Sequence, residues 1–140
     1  MVPSERARWK LLVLSLATIG VGLATRRAPG IFPRFVVAYG GDVLWATLVY
    51  WLLTWARPAA RGVELAVMTA SIALAVEVSQ LFTPPWLVAL RANPFGALVL
   101  GQGFVWSDLA CYAAGVALAW RMDYRGIALT ASDRPAAFND

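Results

Sequence analysis

Long runs of apolar residues alternate along the chain with short segments that are rich in proline, glycine and arginine. A helix that crosses a membrane needs about 20 mostly apolar residues. Four runs meet or approach this length, and they predict helices over about residues 9–25, 36–56, 63–82 and 104–121. The pattern therefore predicts an all-α fold, namely a four-transmembrane-helix bundle.

The first run is the shortest, because the residues from Leu11 to Thr25 would rise only about 22 Å as a helix. Basic residues precede it, as they precede the apolar part of a signal peptide. Because Arg26 and Arg27 follow the run directly, we expect instead an uncleaved helix that begins near Trp9.

The segment between the third and fourth runs, residues 83–103, has an unusual composition for a loop. Pro84 and Pro85 end the third helix, because proline lacks an N–H group and restricts the residue before it. The residues that follow are too apolar for a water-exposed loop, so we expect a re-entrant or interfacial segment. Residues 1–125 would then form a single transmembrane domain, followed by a polar cytoplasmic tail at 126–140.

The composition strengthens the membrane assignment. The 140 residues are 60% hydrophobic and only 14% charged, whereas soluble domains carry about 25% charged residues. The net charge of +4 comes mainly from basic residues at the ends of the apolar runs, so we expect no nucleic-acid partner. The chain has no histidine and one cysteine, Cys111, which excludes a zinc site built from these ligands. We expect neither a metal nor a cofactor.

The placement of lysine and arginine predicts how the helices are oriented, because cytoplasmic loops carry an excess of both. Eight of the twelve basic residues lie before the first run, between the second and third, or after the fourth. The opposite side carries Arg26, Arg27, Arg34 and Arg91. We therefore expect both termini in the cytoplasm of a bacterium and the helices in its inner membrane.

Small residues recur at every fourth position of the last two runs. They are Ser71, Ala75 and Ser79 in the third run, and Ser107, Cys111, Gly115 and Ala119 in the fourth. This spacing lets helix backbones approach closely in lipid. We expect the third and fourth helices to pack together through these residues.

Four charged residues that are distant in sequence fall in the same outer layer under this topology: Asp42, Glu77, Arg91 and Asp108. Ionisable groups inside a membrane are costly, by roughly 2.5 to 3.5 kcal/mol each at a helix centre, and they usually face one another inside the bundle. Gln80 follows Glu77 by three residues and Tyr112 follows Asp108 by four, so each pair shares a helix face.

These six residues form the predicted ligand-binding site, in which we assign no catalytic role. Because three carboxyl groups face one arginine, we expect Glu77 and Arg91 to lie within hydrogen-bonding or single-water reach of each other or of a shared ligand. Three alternatives stay open. Arg91 is also placed to anchor at the lipid head groups, and Asp42 and Asp108 are each placed to cap a helix.

Several motifs resemble a known family. GGDVLWA, VEVSQLF, a following LR and FVWSDLACYAAG are similar to the small bacterial membrane proteins grouped as domain-of-unknown-function 2809, over roughly Gly22 to Trp120. The pattern of Glu77 with Gln80, then Arg91, Asp108 and Gly115, is also similar to that of VanZ-like proteins, of which VanZ is associated with teicoplanin resistance. That pattern has an additional Asp and an Asn in its last helix, whereas this chain has Tyr112 near the Asn position.

The resemblance implies a fold and a site but no established activity. We expect the outward polar site to bind a membrane lipid head group or a lipid-linked cell-envelope precursor. One alternative is an enzyme that uses Glu77 and Asp108 as paired carboxylates, although the chain lacks histidine and a nucleophile motif. Others are a proton-coupled transporter that acts as a homo-oligomer, and assembly with a larger membrane partner.

Overall fold

The computed structural model describes residues 5–101 and 103–124, and the predicted tail at 126–140 lies outside them. Within this part of the chain all regular structure is helical. The six α-helices are α1 Glu5–Arg27, α2 Arg34–Ala56, α3 Gly62–Ser79, α4 Pro85–Ala92, α5 Pro94–Leu100 and α6 Trp106–Tyr124. A short 3₁₀ turn, Pro29–Ile31, connects α1 to α2. The long helices begin and end within a few residues of the positions that the apolar runs predict.

Three helices are long and apolar enough to cross a membrane, over Arg8–Arg27, Arg34–Ala56 and Gly62–Ser79. Large apolar side chains such as Leu16, Leu52 and Val67 are exposed on their outer faces. Because soluble proteins rarely expose so much contiguous apolar surface, this is the surface of a membrane protein. α6 contains 19 residues, three of which are charged, and it is less apolar than α2 and α3.

The segment between α3 and α6 folds as two short helices. Both start with a proline, Pro85 in α4 and Pro94 in α5. Proline is favourable at this position, because the first N–H groups of a helix make no intrahelical hydrogen bond and its lack of an N–H group costs nothing there. Asn93 caps α5 by accepting a hydrogen bond from the backbone N–H of Phe95 at 2.9 Å. α3 ends at Ser79, three residues earlier than predicted, because the chain tightens there into i to i−3 hydrogen bonds.

α2 is the central helix of the bundle and packs against α1, α3 and α6. One core cluster surrounds Tyr50 and Trp51 of α2, and a second surrounds Ala46 of the same helix. Gly115 of α6 lies where α6 crosses α2, since a Cβ atom added to it would collide with the Val43 carbonyl and lie 2.9 Å from the Cβ of Ala46. The missing side chain therefore allows the close approach of these two backbones.

α3 and α6 pack together as predicted, but only the α6 stripe of small residues is largely buried, with Ser107 half-buried. Cys111, Gly115 and Ala119 are buried, but Gly115 faces α2 rather than α3. Ser71 and Ala75 of α3 are exposed. The buried positions of α3 also recur every four residues, at Leu65, Thr69, Ala73 and Glu77, on a different face of the helix. The stripe of α3 that packs inside the bundle therefore includes Glu77, whose side chain is larger and more polar than the small residues of the predicted stripe.

Candidate functional site

Glu77 is completely buried in the last turn of α3 and has no exposed surface, 0%. Its Oε1 accepts a hydrogen bond from the backbone N–H of Val105 at 2.8 Å. Its Oε2 accepts hydrogen bonds from the Gln80 amide at 3.0 Å and from the Tyr112 hydroxyl at 3.4 Å. These donors come from the end of α3, the segment before α6 and α6 itself. The carboxylate thus holds together three parts of the chain that meet at one end of the bundle.

Gln80 is nine-tenths buried, with 8% of its surface exposed, directly after α3. Its Nε2 donates to Glu77, whereas its Oε1 is buried without a hydrogen-bond partner among the described residues. Gly101, which has a φ of 69°, lies against this amide, and a Cβ atom there would collide with it. Glycine is therefore required at this position for two reasons: the backbone is in the left-handed region, and the Gln80 amide packs directly against it.

Arg91 extends from α4 to the end of α3 and is likewise buried, with 8% of its surface exposed. Its guanidinium donates to the carbonyl oxygens of Ser79 at 2.8 Å and Phe82 at 3.1 Å. The last carbonyl groups of a helix lack intrahelical partners and carry partial negative charge, so a cation is favourable there.

Arg91 and Glu77, both within the described part of the chain, form neither a direct hydrogen bond nor an ion pair. Contact through a single water or a shared ligand, which the sequence also predicted, stays a prediction. Glu77 accepts its hydrogen bonds from other groups, and the Nη1 and Nη2 atoms of Arg91 donate to other groups, whereas the buried Nε of Arg91 has no partner among the described residues. Because Arg91 is buried against α3, the alternative of an anchor at the lipid head groups has no support in the structure.

A polar cavity of about 370 Å³ opens beside Gln80. Charged groups from three helices line it: Arg26 from the end of α1, Asp42 from α2 and Asp108 from the first turn of α6. Asp42 lies within electrostatic range of the other two and of Glu77. The cavity is therefore a polar layer in an otherwise apolar bundle, and its open acceptors and one cation are available to a ligand.

A second cavity of about 140 Å³ lies between α1, α2 and α5, and its walls are mainly apolar. Residues that line only this cavity include Ile19, Leu23, Leu44, Leu48 and Val99. The two cavities share the wall residues Arg26, Asp42, Ala97, Leu98, Gly101 and Tyr112. They therefore adjoin, and together they form a cleft with a polar part and an apolar part.

Residues 31–116 match the family described as protein of unknown function (DUF2809). The match covers more than half of the chain and includes all six residues of the predicted site. The chain belongs to the DUF2809 family. No solved structure matches it. Because the family description states no activity, the function of this DUF2809 protein has to be argued from the cleft.

The structure brings four of the six predicted residues to the cavity wall, namely Asp42, Gln80, Asp108 and Tyr112. Glu77 and Arg91 lie behind the wall and do not line either cavity. Asp42 is in the third turn of α2 rather than at its start, so it does not cap that helix. The structure thus brings four of the six residues to one cavity and places the other two behind its wall, and the ligand-binding role of this set stays a prediction.

Sequence reasoning overlooked Arg26, which precedes the matched residues of the DUF2809 family and lines both cavities. Its guanidinium lies over Gly41, where an added Cβ would be 3.5 Å from Nη2. A signal was available in the sequence. The connection between the first two helices is short, so the end of α1 lies near the first turns of α2, and Gly41 and Asp42 follow within the third turn.

Proposed function

We propose that this DUF2809 protein crosses the membrane four times, with α6 as the fourth span. α6 packs against both α2 and α3 and has nearly the length of α3. Two of its charged groups are sheltered from lipid. Asp108 faces the polar cavity, and Asp123 is buried and accepts a hydrogen bond from the Tyr50 hydroxyl at 2.7 Å. Charged groups that face the interior of a bundle are compatible with a spanning helix.

In this topology the cleft opens toward the outer face of the bacterial inner membrane, and both termini are cytoplasmic. The ends of α1 and α3 and the starts of α2 and α6 lie at the cleft end of the bundle, together with α4 and α5. In the sequence, eight of the twelve basic residues precede the apolar part of α1, lie between α2 and α3, or follow the apolar part of α6. The excess of lysine and arginine on the cytoplasmic side supports this orientation.

The function that the cleft supports best is binding of a lipid, as a free membrane lipid or a lipid-linked envelope precursor. The main support for this proposal is that the polar cavity shares wall residues with the apolar cavity. A polar head group fits beside Arg26, Asp42 and Asp108, and an acyl chain fits along Ile19 and Leu48. The polar cavity falls within the range of roughly 300 to 1,000 Å³ that is usual for small-molecule sites.

A binding role also agrees better with the environment of Glu77 than a catalytic one does. A carboxylate that acts as an acid or base must reach the reacting group directly or through one water. Glu77 already accepts three hydrogen bonds and lines neither cavity. This arrangement argues against an enzyme that uses Glu77 and Asp108 as a pair.

Two glycines of α1 provide a matched test. Gly22 lines the apolar cavity, and a Cβ atom there would lie 3.9 Å from Leu44, whereas a Cβ atom at Gly20 has nothing within 4 Å. We expect native mass spectrometry of the protein, purified in a mild detergent, to show a bound lipid. Gly22→Phe should remove it by filling the cavity, and Gly20→Phe should retain it. Protein that carries no lipid under several mild conditions, or equal retention by both variants, would overturn the proposal.

A further inference from the structure

The orientation of the Gln80 amide indicates what kind of group the cavity accepts. Because a carboxylate offers only acceptors, the Nε2 of Gln80 must face Glu77, and its Oε1 must point the other way. That oxygen is buried, has no partner among the described residues and belongs to a side chain that lines the polar cavity. A buried acceptor without a partner is a site where a ligand donor gains a hydrogen bond.

Two more acceptors line the same cavity. Asp42 and Asp108 present carboxylates from α2 and α6, while the Tyr112 hydroxyl is directed to Glu77. A primary ammonium group has three N–H donors and a positive charge. Its three donors correspond to the three acceptor groups from Gln80, Asp42 and Asp108, and its charge complements the two carboxylates.

Arg26 occupies a different place in the cleft. Gln80 and Asp108 line only the polar cavity, Ile19 and Leu48 line only the apolar one, and Arg26 lines both. Asp42 also lines both, so Arg26 and Asp42 lie where the polar and the apolar cavity adjoin. Arginine binds phosphate oxygens through parallel N–H donors. Along the cleft, the protein offers acceptors, then a phosphate-binding cation, then apolar surface.

We propose that the cleft selects a phospholipid whose head group carries a primary amine, with the ammonium at Gln80, Asp42 and Asp108 and the phosphate at Arg26. The order of groups in such a lipid, from amine through phosphate to acyl chain, is the order of the cleft. This selectivity rests on the proposed lipid-binding function and adds the class of head group. Glu77 is a positioning residue, because it fixes the Gln80 amide and does not contact the ligand.

Competition between lipids with identical acyl chains tests this selectivity on the intact wild-type protein. The probes are phosphatidylethanolamine, phosphatidylcholine and phosphatidylglycerol, and bound lipid is quantified by native mass spectrometry. Phosphatidylcholine keeps the positive charge and the phosphate but has no N–H donors. We expect phosphatidylethanolamine to be preferred over both others by about tenfold or more, because a site built to accept hydrogen bonds rejects an analogue without donors.

The carboxylates are then tested by amide substitution. Asp42→Asn and Asp108→Asn should each lower the preference for phosphatidylethanolamine over phosphatidylcholine by several-fold. Glu64→Gln is the matched control, since Glu64 is an exposed carboxylate at the other end of α3 and should leave the preference unchanged. If a variant fails to fold, the lipid competition on the wild-type protein still tests the preference for a primary amine.

The outcomes separate this inference from the proposed function. Lipid binding that is equal for all three head groups would overturn the amine selectivity and leave the lipid-binding proposal standing. No binding of any lipid would overturn both. Loss of bound phosphatidylethanolamine on addition of a divalent-metal chelator would show that a cation, rather than the ammonium group, occupies the carboxylates, and it would also overturn the inference.

Discussion

Glu77 shows how a carboxylate can be stable in a bundle that is otherwise apolar. Three hydrogen-bond donors offset the free-energy cost of burying its charge. These donors are the Val105 backbone amide, the Gln80 side-chain amide and the Tyr112 hydroxyl, and Glu77 is in turn their acceptor. Charge-assisted hydrogen bonds to backbone and side-chain donors are stronger than neutral ones. Glu77 therefore mainly connects α3 to α6 and to the segment before α6. It affects the cleft only indirectly, by orienting the Gln80 side chain.

Replacement of Glu77 with leucine should destabilise the fold strongly, because two buried side-chain donors, Gln80 and Tyr112, and the part-buried Val105 N–H group lose their acceptor. Each unsatisfied buried donor costs about 1 to 3 kcal/mol, so we expect a loss of about 2 kcal/mol or more. Thermal unfolding in detergent measures this as a lower Tm. Glu64→Leu is the control, since its exposed ion pair with Arg61 contributes little. Equal melting temperatures for the two variants would contradict the role of Glu77.

At the scale of single residues, the sequence identifies the polar layer but not its contacts. Asp42, Glu77 and Asp108 can be assigned to one polar layer from the sequence, because charged residues within membrane helices usually face one another inside the bundle. Counting charges does not reveal that backbone N–H and amide donors, rather than Arg91, satisfy Glu77. Backbone donors such as Val105 become available only where a helix has not yet begun, and this is a property of the fold rather than of the residue type.

At the scale of helices, α3 contains two stripes of residues at a spacing of four, and spacing alone does not distinguish them. The exposed stripe contains Ser71 and Ala75, and the buried one contains Thr69 and Ala73. The position of Glu77 decides between them, because a carboxylate in a membrane helix must face the interior. Counting back by fours from Glu77 gives the buried stripe. The observed helix ends lie within a few residues of the predicted ones, because prolines and charged residues bound the apolar runs.

The crossing of α2 and α6 gives a prediction at this scale. Alanine at Gly115 should destabilise the protein by about 1 to 3 kcal/mol, because even one added carbon collides with the Val43 carbonyl. Alanine at Gly20 should stabilise it by about 0.5 to 1 kcal/mol, because Gly20 lies in a helix with open space around it. Melting temperatures that shift in the same direction for both variants would show that the crossing is not tight.

At the scale of the whole molecule, the proposed topology predicts which positions are reached from each side of the membrane. In a Cys111→Ala background, a cysteine at Ala89 of α4 should react with an impermeant thiol reagent added to intact cells. A cysteine at Ala59, between α2 and α3, should react only after the membrane is opened. Both positions are exposed, so accessibility within the fold is comparable. The reverse labelling pattern would place the cleft on the cytoplasmic side.

The hydrogen bonds at the two ends of α6 have a further consequence for movement. Tyr112 connects α6 to Glu77 of α3 at one end, and Asp123 connects it to Tyr50 of α2 at the other. Rotation or sliding of α6 would break both hydrogen bonds, so they oppose movement of α6 relative to α2 and α3. From Arg8 onward, the hydrogen bonds made by the described side chains of α1 stay within that helix. α1 also forms one wall of the cleft. Movement of α1 would thus disturb its packing, in which Leu11 belongs to the core cluster of Tyr50 and Trp51, but it would break no interhelical hydrogen bond of these described side chains. We therefore expect the proposed lipid to enter the cleft sideways from the bilayer, beside α1.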